Sequence, residues 1–233
     1  MKTEEVELLH LETGLLWPHY KKKKAWSANT LTKVLKEIEY EEIPITILER
    51  AAQNGKLFHH AVQSFFQTGD RPPFIDSRET KSLSKIELKI CETINFLKKE
   101  EFSNFCGSEK LHYIFYKNEL LATYIDLEFQ NYIIELKSSN FKAVESSIAL
   151  LIFEIQLLIQ HLCTKKDVYL LWSTGQGVIF NKFQISDHLL KVLDILISLA
   201  QNKDDYSSRV KKVIIQEIID NYTPKKLGNY IQV

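Results

Sequence analysis

Hydrophobic and polar residues alternate with a period of two from Leu120 to Phe129 and again from Tyr132 to Ser138, separated by the polar pair Gln130-Asn131. That pattern predicts a hairpin with a short turn. With Gln130-Asn131 as the turn, Phe129 faces Tyr132, Leu127 faces Ile134, and Asp126 lies opposite Glu135. Strict alternation then assigns Asp126, Glu135 and Lys137 to one face and Ile125, Leu127, Ile134 and Leu136 to the other. Lys110 to Tyr116 reads as the strand before this hairpin, and Val168 to Trp172 with Gly177 to Phe183 as a later pair around Thr174-Gly175-Gln176.

Elsewhere the period is helical. The chain to Lys24 has an irregular apolar pattern ending in the basic run Lys21 to Lys24. Ser27, or Asn29, caps a short helix through Lys36. Pro44 starts another that runs through Ala52 and pauses at Asn54-Gly55, and Lys56 to Phe66 follows with Leu57, Ala61, Val62 and Phe65 on its apolar side. A Gly/Asp/Pro-rich break spans Gly69 to Pro73, and Ser84 to Phe102 is a long amphipathic helix. Phe141 to Cys163 is apolar almost all round, which predicts a central buried helix. Helices at Ser186 to Ala200 and Ser208 to Asn221 follow, and the final dozen residues read as a loose tail. Helices, strand trio, long helix, strand pair and helices in that order predict an α/β fold with a sheet covered on both faces.

Composition narrows the class. A chain of 233 residues, 45% hydrophobic and 26% charged, suits a single globular domain. Thirty basic residues balance thirty acidic ones, so any surface for a polyanion must be local. Cys91, Cys106 and Cys163 form no C-x-x-C pair and no even framework, which points to a reducing compartment and excludes a four-thiolate iron–sulfur cluster built from one chain. The start, Met-Lys-Thr-Glu-Glu-Val-Glu, lacks a signal-peptide pattern, and the apolar stretch Ile148 to Ile159 is interrupted by Glu154 and Gln156 and reads as too short for a bilayer. The expectation is a cytoplasmic (or organellar matrix) protein with no membrane partner.

The hairpin carries the candidate chemistry. Carboxylates facing one another across a ladder repel, so Asp126 and Glu135 call for a cation between them, and a hard divalent ion with Lys137 beside it meets the need. The apolar company of Glu135 in Ile133-Ile-Glu-Leu136 predicts a partly buried carboxylate, costly if unpaired. A second constellation is Gly55-Lys-Leu-Phe-His59-His60. Adjacent helical histidines diverge by about 100°, so at most one faces a given site. Gly55 at a helix start would admit another backbone, and a neutral imidazole suits Mn²⁺. Glu109, just before the first strand, and Gln156, inside the buried helix, complete the set; the Gln156 amide either caps a neighbouring backbone group or joins the site.

The series Gly55-x-x-x-His59, Glu109, Asp126, Glu135-x-Lys137 and Gln156-Leu157 resembles the RecB-like and lambda-exonuclease-like, phage-type branch of the PD-(D/E)XK nuclease superfamily. The lead-in Ser27-Ala-Asn-Thr-Leu-Thr-Lys-Val-Leu35, Ile43-Pro44 and Ala51-Ala-Gln-Asn-Gly55 is also similar to phage-type members, and the likeness covers about residues 26 to 180. It implies a restriction-endonuclease-like core at about 26–183, a central mixed β-sheet flanked by helices, with 1–25 and 184–233 as additions to a single nuclease domain. It implies a metal site of His59, Asp126, Glu135 and the Leu136 carbonyl for one or two Mg²⁺ or Mn²⁺ ions. Lys137 would act on the attacking water, and Glu109 and Gln156 would support. The implied activity is DNA exonuclease cleavage in recombination, repair or phage replication, with a recombination partner protein and a homo-oligomer as possible assemblies. An endonuclease of the restriction or RNA-processing kind, or a catalytically decayed nucleic-acid-binding protein, are the alternatives. Two positions depart from the pattern: Thr123 stands where members often have glycine, and Gln160 where they often have tyrosine. Local phosphate contacts fall to Lys21 to Lys24, Arg71 and Lys142, hydrogen bonds to the substrate backbone to Ser138 and Ser139, and base stacking to Trp26 or Phe74.

Overall fold

The N-terminal residues pair rather than wander. In the computed structural model, β1 (Glu7–His10), β2 (Leu16–Tyr20) and β3 (Lys23–Lys24) form a three-stranded antiparallel sheet. The structure describes residues 6–10, 16–69, 72, 84–99, 102, 104–139, 146–174, 177–202 and 207–222. Arg71, Phe74, Lys142, Gly175, Gln176 and the C-terminal tail therefore lie outside the described residues.

Ser27 caps the next segment as its sequence predicts, its Oγ accepting from the Thr30 N–H at 3.1 Å. The helix breaks at Thr32 into α1 (Ala28–Leu31) and α2 (Lys33–Glu39). The pause expected at Asn54-Gly55 does not occur: α3 (Ile45–Thr68) is one helix of 24 residues. Gly55 is mid-helix, and a Cβ there would meet nothing within 4 Å, so no backbone approaches it. Packing of Phe58 and Val62, just past the expected break, anchors the continuing helix. It stops at Gly69, left-handed at φ 76°, whose N–H returns to the Phe65 carbonyl. Then α4 (Lys85–Lys99) opens with a reciprocal cap between Ser84 and Glu87.

The main sheet contains β4 (Phe105–Tyr116), β5 (Glu119–Phe129), β6 (Tyr132–Ser138), β7 (Asp167–Ser173) and β8 (Val178–Lys182), in sequence order. It is mixed: β6 and β7 run parallel and every other neighbouring pair is antiparallel. The parallel pair needs a crossover, and α5 (Ser147–Thr164) supplies it. Ser146 caps α5 through the Ala149 N–H at 3.2 Å. At 18 residues, α5 is longer than the apolar stretch suggested and meets the length and composition of a membrane span. Its apolar side chains instead fill the core against the sheet and the flanking helices.

The two faces carry separate apolar clusters. One joins α5, α1, α2 and the C-terminal helices α6 (Asp187–Gln201) and α7 (Ser208–Asp220) to Leu121, Ile125, Ile133, Leu170 and Trp172. The other joins α3 and α4 to Leu127, Phe129, Ile134, Leu136 and Leu171. Strict alternation holds in β6 and β7 but not in β5. Ile125, expected beside Leu127, packs on the opposite face from it. The strand changes sides at Asp126. In that row the pairing also lapses: Ser108 pairs Leu127 and Lys110 pairs Ile125, with Glu109 skipped and left-handed at φ 52°. Glu109 is thus inside a strand that begins at Phe105, not ahead of it.

Past the defect, Glu128 turns inward and meets Lys166 at 2.8 Å, Lys110 at 3.2 Å and His112 at 3.3 Å. Burial works to raise its carboxyl, but hydrogen bonds from both lysines and the His112 charge outweigh it and hold the group at about 2. A carboxyl lowered on folding stabilises fully above its unfolded value near 4.5, and that contribution fades as pH falls toward about 2. With Lys110 half-exposed, its worth at neutral pH is on the order of 2 kcal/mol. Urea denaturation of Glu128→Gln should show that loss at pH 7 and a flatter decline in stability between pH 4.5 and 2 than the native chain. An identical acid limb in both proteins would refute this role.

Candidate functional site

One edge of β5 is shared between two partners. Near its end Leu127 and Glu128 pair with Ile134 and Ile133 of β6. Near its start the Trp26 N–H donates to the Leu120 carbonyl at 2.8 Å, and the Ala122 N–H to the Trp26 carbonyl at 2.9 Å. Between these clamps β5 and β6 fork, and a cleft of about 410 Å³ opens there, lined by Thr123, Asp126, Glu135, Lys137, Gln156 and His59, with Trp17, Lys24 and Asn29 around them. The expected register, Leu127 opposite Ile134, is the observed one.

In place of a backbone partner in the fork, the Leu136 N–H finds the Asp126 Oδ2 at 2.8 Å. The other oxygen, Oδ1, meets His59 Nδ1 from α3 at 3.2 Å. Glu135, only 2% exposed, has its Oε1 bonded by Lys137 Nζ and by Gln156 Nε2 at 2.6 Å, and its Oε2 bonded by Gln160 Nε2. Lys137 Nζ also donates to Gln156 Oε1 at 3.0 Å and lies 5.4 Å from the Phe153 ring centre. In a strand the N–H and C=O of one residue face the same edge, so the Leu136 carbonyl looks into the fork with its N–H.

Burial works to raise both carboxyls, with opposite outcomes. For Asp126 the hydrogen bond and charge of His59, Lys137 and the Leu136 N–H prevail and lower it. For Glu135 burial and the Asp126 charge prevail over Lys137 and Gln160 and raise it. Burial works to lower His59, but Asp126 and Glu135 raise it overall.

Of the sequence candidates, His59, Asp126, Glu135, Lys137 and Gln156 line one cleft, with Leu136 contributing its backbone. Glu109 is exposed and lines a neighbouring cleft with Gly55, Lys56, His59, His60 and Gln63. Asp126 reaches the fork from a twisted strand, not from the regular face that alternation gave it. Sequence reasoning missed Gln160 as a partner of Glu135, although Gln156 and Gln160, four apart on one apolar helix, must share a face. It also missed Lys36 of α2, whose ammonium bonds Asn29 Oδ1 at 2.5 Å and is lowered by burial and by the charge of Lys137.

A divalent ion asks for oxygen ligands. Among the described residues no group of three or more His, Cys, Asp or Glu is disposed to hold a metal. Asp126, Glu135 and the Leu136 carbonyl are a donor set of two carboxylates and one carbonyl, with His59 against Asp126. That set fits a hard dication that keeps several waters, not a closed protein cage.

No family model matches the chain, and no curated protein matches it. A solved structure titled "Crystal structure of SSO0001" is similar over 90% of this chain and 91% of that one, at 16% identity and a TM-score of 0.44.

The Glu135 partners make a stability prediction. Gln160→Leu should remove a buried donor from Glu135 and cost about 1–3 kcal/mol in chemical denaturation. Stability unchanged within error would show that Gln160 does not hold the carboxylate.

Proposed function

We propose that the protein is a Mg²⁺- or Mn²⁺-dependent nuclease of the PD-(D/E)XK type with a restriction-endonuclease-like core, acting as a DNA exonuclease in recombination, repair or phage replication. The observation that carries this reading is the convergence of Asp126, Glu135, Lys137 and Gln156 with His59 in one cleft. A bare structural ion pair has no need of a cleft beside it or of a third element's imidazole. Asp126, Glu135, the Leu136 carbonyl and His59 would hold the ion, which when bound would polarise the scissile phosphate and acidify a water. Lys137 orients or deprotonates the attacking water, or holds the phosphate as charge builds. Gln156 fixes both Lys137 and Glu135, bonding each at 3.0 and 2.6 Å. Gln160 keeps the second Glu135 oxygen in place.

One observation favours a second reading. All four carboxylate oxygens of Asp126 and Glu135 already have partners within the chain, as a metal-free polar core in a catalytically decayed nucleic-acid-binding protein would. Titration calorimetry separates the two: the nuclease reading expects Mn²⁺ to bind the native chain and much more weakly after Asp126→Asn.

End-labelled linear duplex DNA tests the activity. Native protein should release label only with Mg²⁺ or Mn²⁺, and Lys137→Ala should lower the rate by about 10²-fold or more while circular dichroism stays native. Equal turnover by Lys137→Ala sinks the mechanism. Degradation of end-blocked linear DNA would move the assignment to an endonuclease.

A further inference from the structure

The cleft does not end at Lys24. That lysine also lines a second cavity of about 780 Å³, with Tyr20, Lys21, Lys23, Trp26 and Thr30. Trp26, Thr30 and Ala200 continue into a third of about 800 Å³, which reaches Lys33, Lys211 and Lys212. These depressions share walls and form one groove leading away from the fork. Six lysines line it against Glu37, Glu41 and Glu119, with Lys33 pairing Glu37 and Lys212 pairing Glu41, each at 3.9 Å. One of those acids is committed to the floor: Glu119 Oε2 accepts from Trp26 Nε1 at 2.8 Å and fixes the indole. The floor is also rigid, because Ala25 and Trp26 are hydrogen-bonded to β2 on one side and β5 on the other.

The turn at the rim adds an independent observation. Tyr20 pairs with Lys23, so Lys21 and Lys22 form a two-residue hairpin loop, both left-handed at φ 48° and 63°. Such turns favour Asn-Gly, since other side chains clash with the backbone there. The comparable turn between β4 and β5 places Asn118 at its second position, whereas this one uses lysine at both. A local rule is broken at a cost in stability, and beside placing the Lys21 ammonium over the Tyr20 ring at 4.8 Å the turn presents positive charge at the mouth of a basic groove.

We infer that this groove binds a single strand of nucleic acid, with the lysines on its phosphates and Trp26 beneath its bases, and leads that strand to or from the fork. A narrow basic channel with an aromatic floor suits one flexible strand, whose bases stack without regard to sequence. The inference rests on the nucleic-acid reading of the fork and adds which form of the polymer it handles and by what path.

The test uses the full chain in EDTA, so that binding is read without hydrolysis. The probes are a fluorescein-labelled oligothymidylate and a blunt duplex of equal length, followed by anisotropy across a salt series. The native chain should bind the single strand more tightly than the duplex. The variant Lys21→Asn/Lys22→Gly should melt at the same or a higher temperature, yet bind the single strand about tenfold more weakly, with a salt slope smaller by about 1.4. Native binding that is absent or favours duplex, or a variant with unchanged affinity and slope, overturns the groove. Divalent-dependent hydrolysis by the native chain is scored separately, so the nuclease reading can fail while the groove stands, and the reverse.

Discussion

The carboxylate of Glu135 is held within reach of Asp126 in a part of the protein that water hardly enters, and most of the local architecture follows from that. Two like charges in a partly desolvated space raise the free energy of the fold unless each oxygen is met by a donor. The donors come from three elements: Lys137 and the Leu136 N–H from β6 itself, Gln156 and Gln160 from α5, and His59 from α3. Helices on both faces of the sheet are thereby tied to one point. Replacing the pair by apolar residues would remove the reason for those polar groups to converge.

Asp126 can take part only because β5 twists where it sits. Its neighbours Ile125 and Leu127 belong to different apolar clusters, so the strand has turned over within two residues. Glu109 opposite it is left-handed, and neither neighbouring ladder pairs this row. The same turn allows the far face of β5 to be covered by two different structures. Trp17 and Ala25 pack on Ala122 at one end, and α3 and α4 pack on Leu127 and Phe129 at the other. The seam between those covers is the cleft. A defect in pairing, a change of cover and an opening to solvent are thus one event in the chain.

Much of this could be read from the residues because local pattern and tertiary packing agree. The hairpin register followed from Gln130-Asn131 between alternating runs, and α5 from an apolar stretch. The site residues of β6 and α5 were legible for the same reason: a charge or amide inside an apolar run is conspicuous. What was not legible had no local signature. Asn54-Gly55 has the composition of a helix end, but burial of Phe58 and Val62 on α3 outweighs the roughly 1 kcal/mol that glycine costs within a helix. The twist at Asp126 is invisible to alternation, which assumes a regular pleat. Lys36 and Asn29 reach the fork through the bend at Thr32, which depends on packing of α1 and α2 against α5. Glu109, singled out for its place before the first strand and its part in the motif series, lines the adjoining cleft that shares His59 with the fork, and its left-handed backbone was not legible in the sequence.

The hydrogen bonding of the fork also constrains how a dication would enter it on the nuclease reading. Asp126 Oδ1 meets only His59, and that contact is a long 3.2 Å, so exchanging it for a metal bond loses little. Glu135 is different: Oε1 has two donors, and Oε2 has Gln160 in a site without water access. A ligand role for Glu135 would therefore fall to Oε1, on the side of Lys137, and Lys137 would have to yield part of its contact to the ion. Lys137 Nζ also meets Gln156 Oε1 at 3.0 Å and the Phe153 ring, and these contacts would keep it beside the ion. On that reading Lys137, which bonds Glu135 in this structure, would take a second role beside the ion and its water. Gln156 is what makes the two roles compatible, because it anchors Lys137 in both.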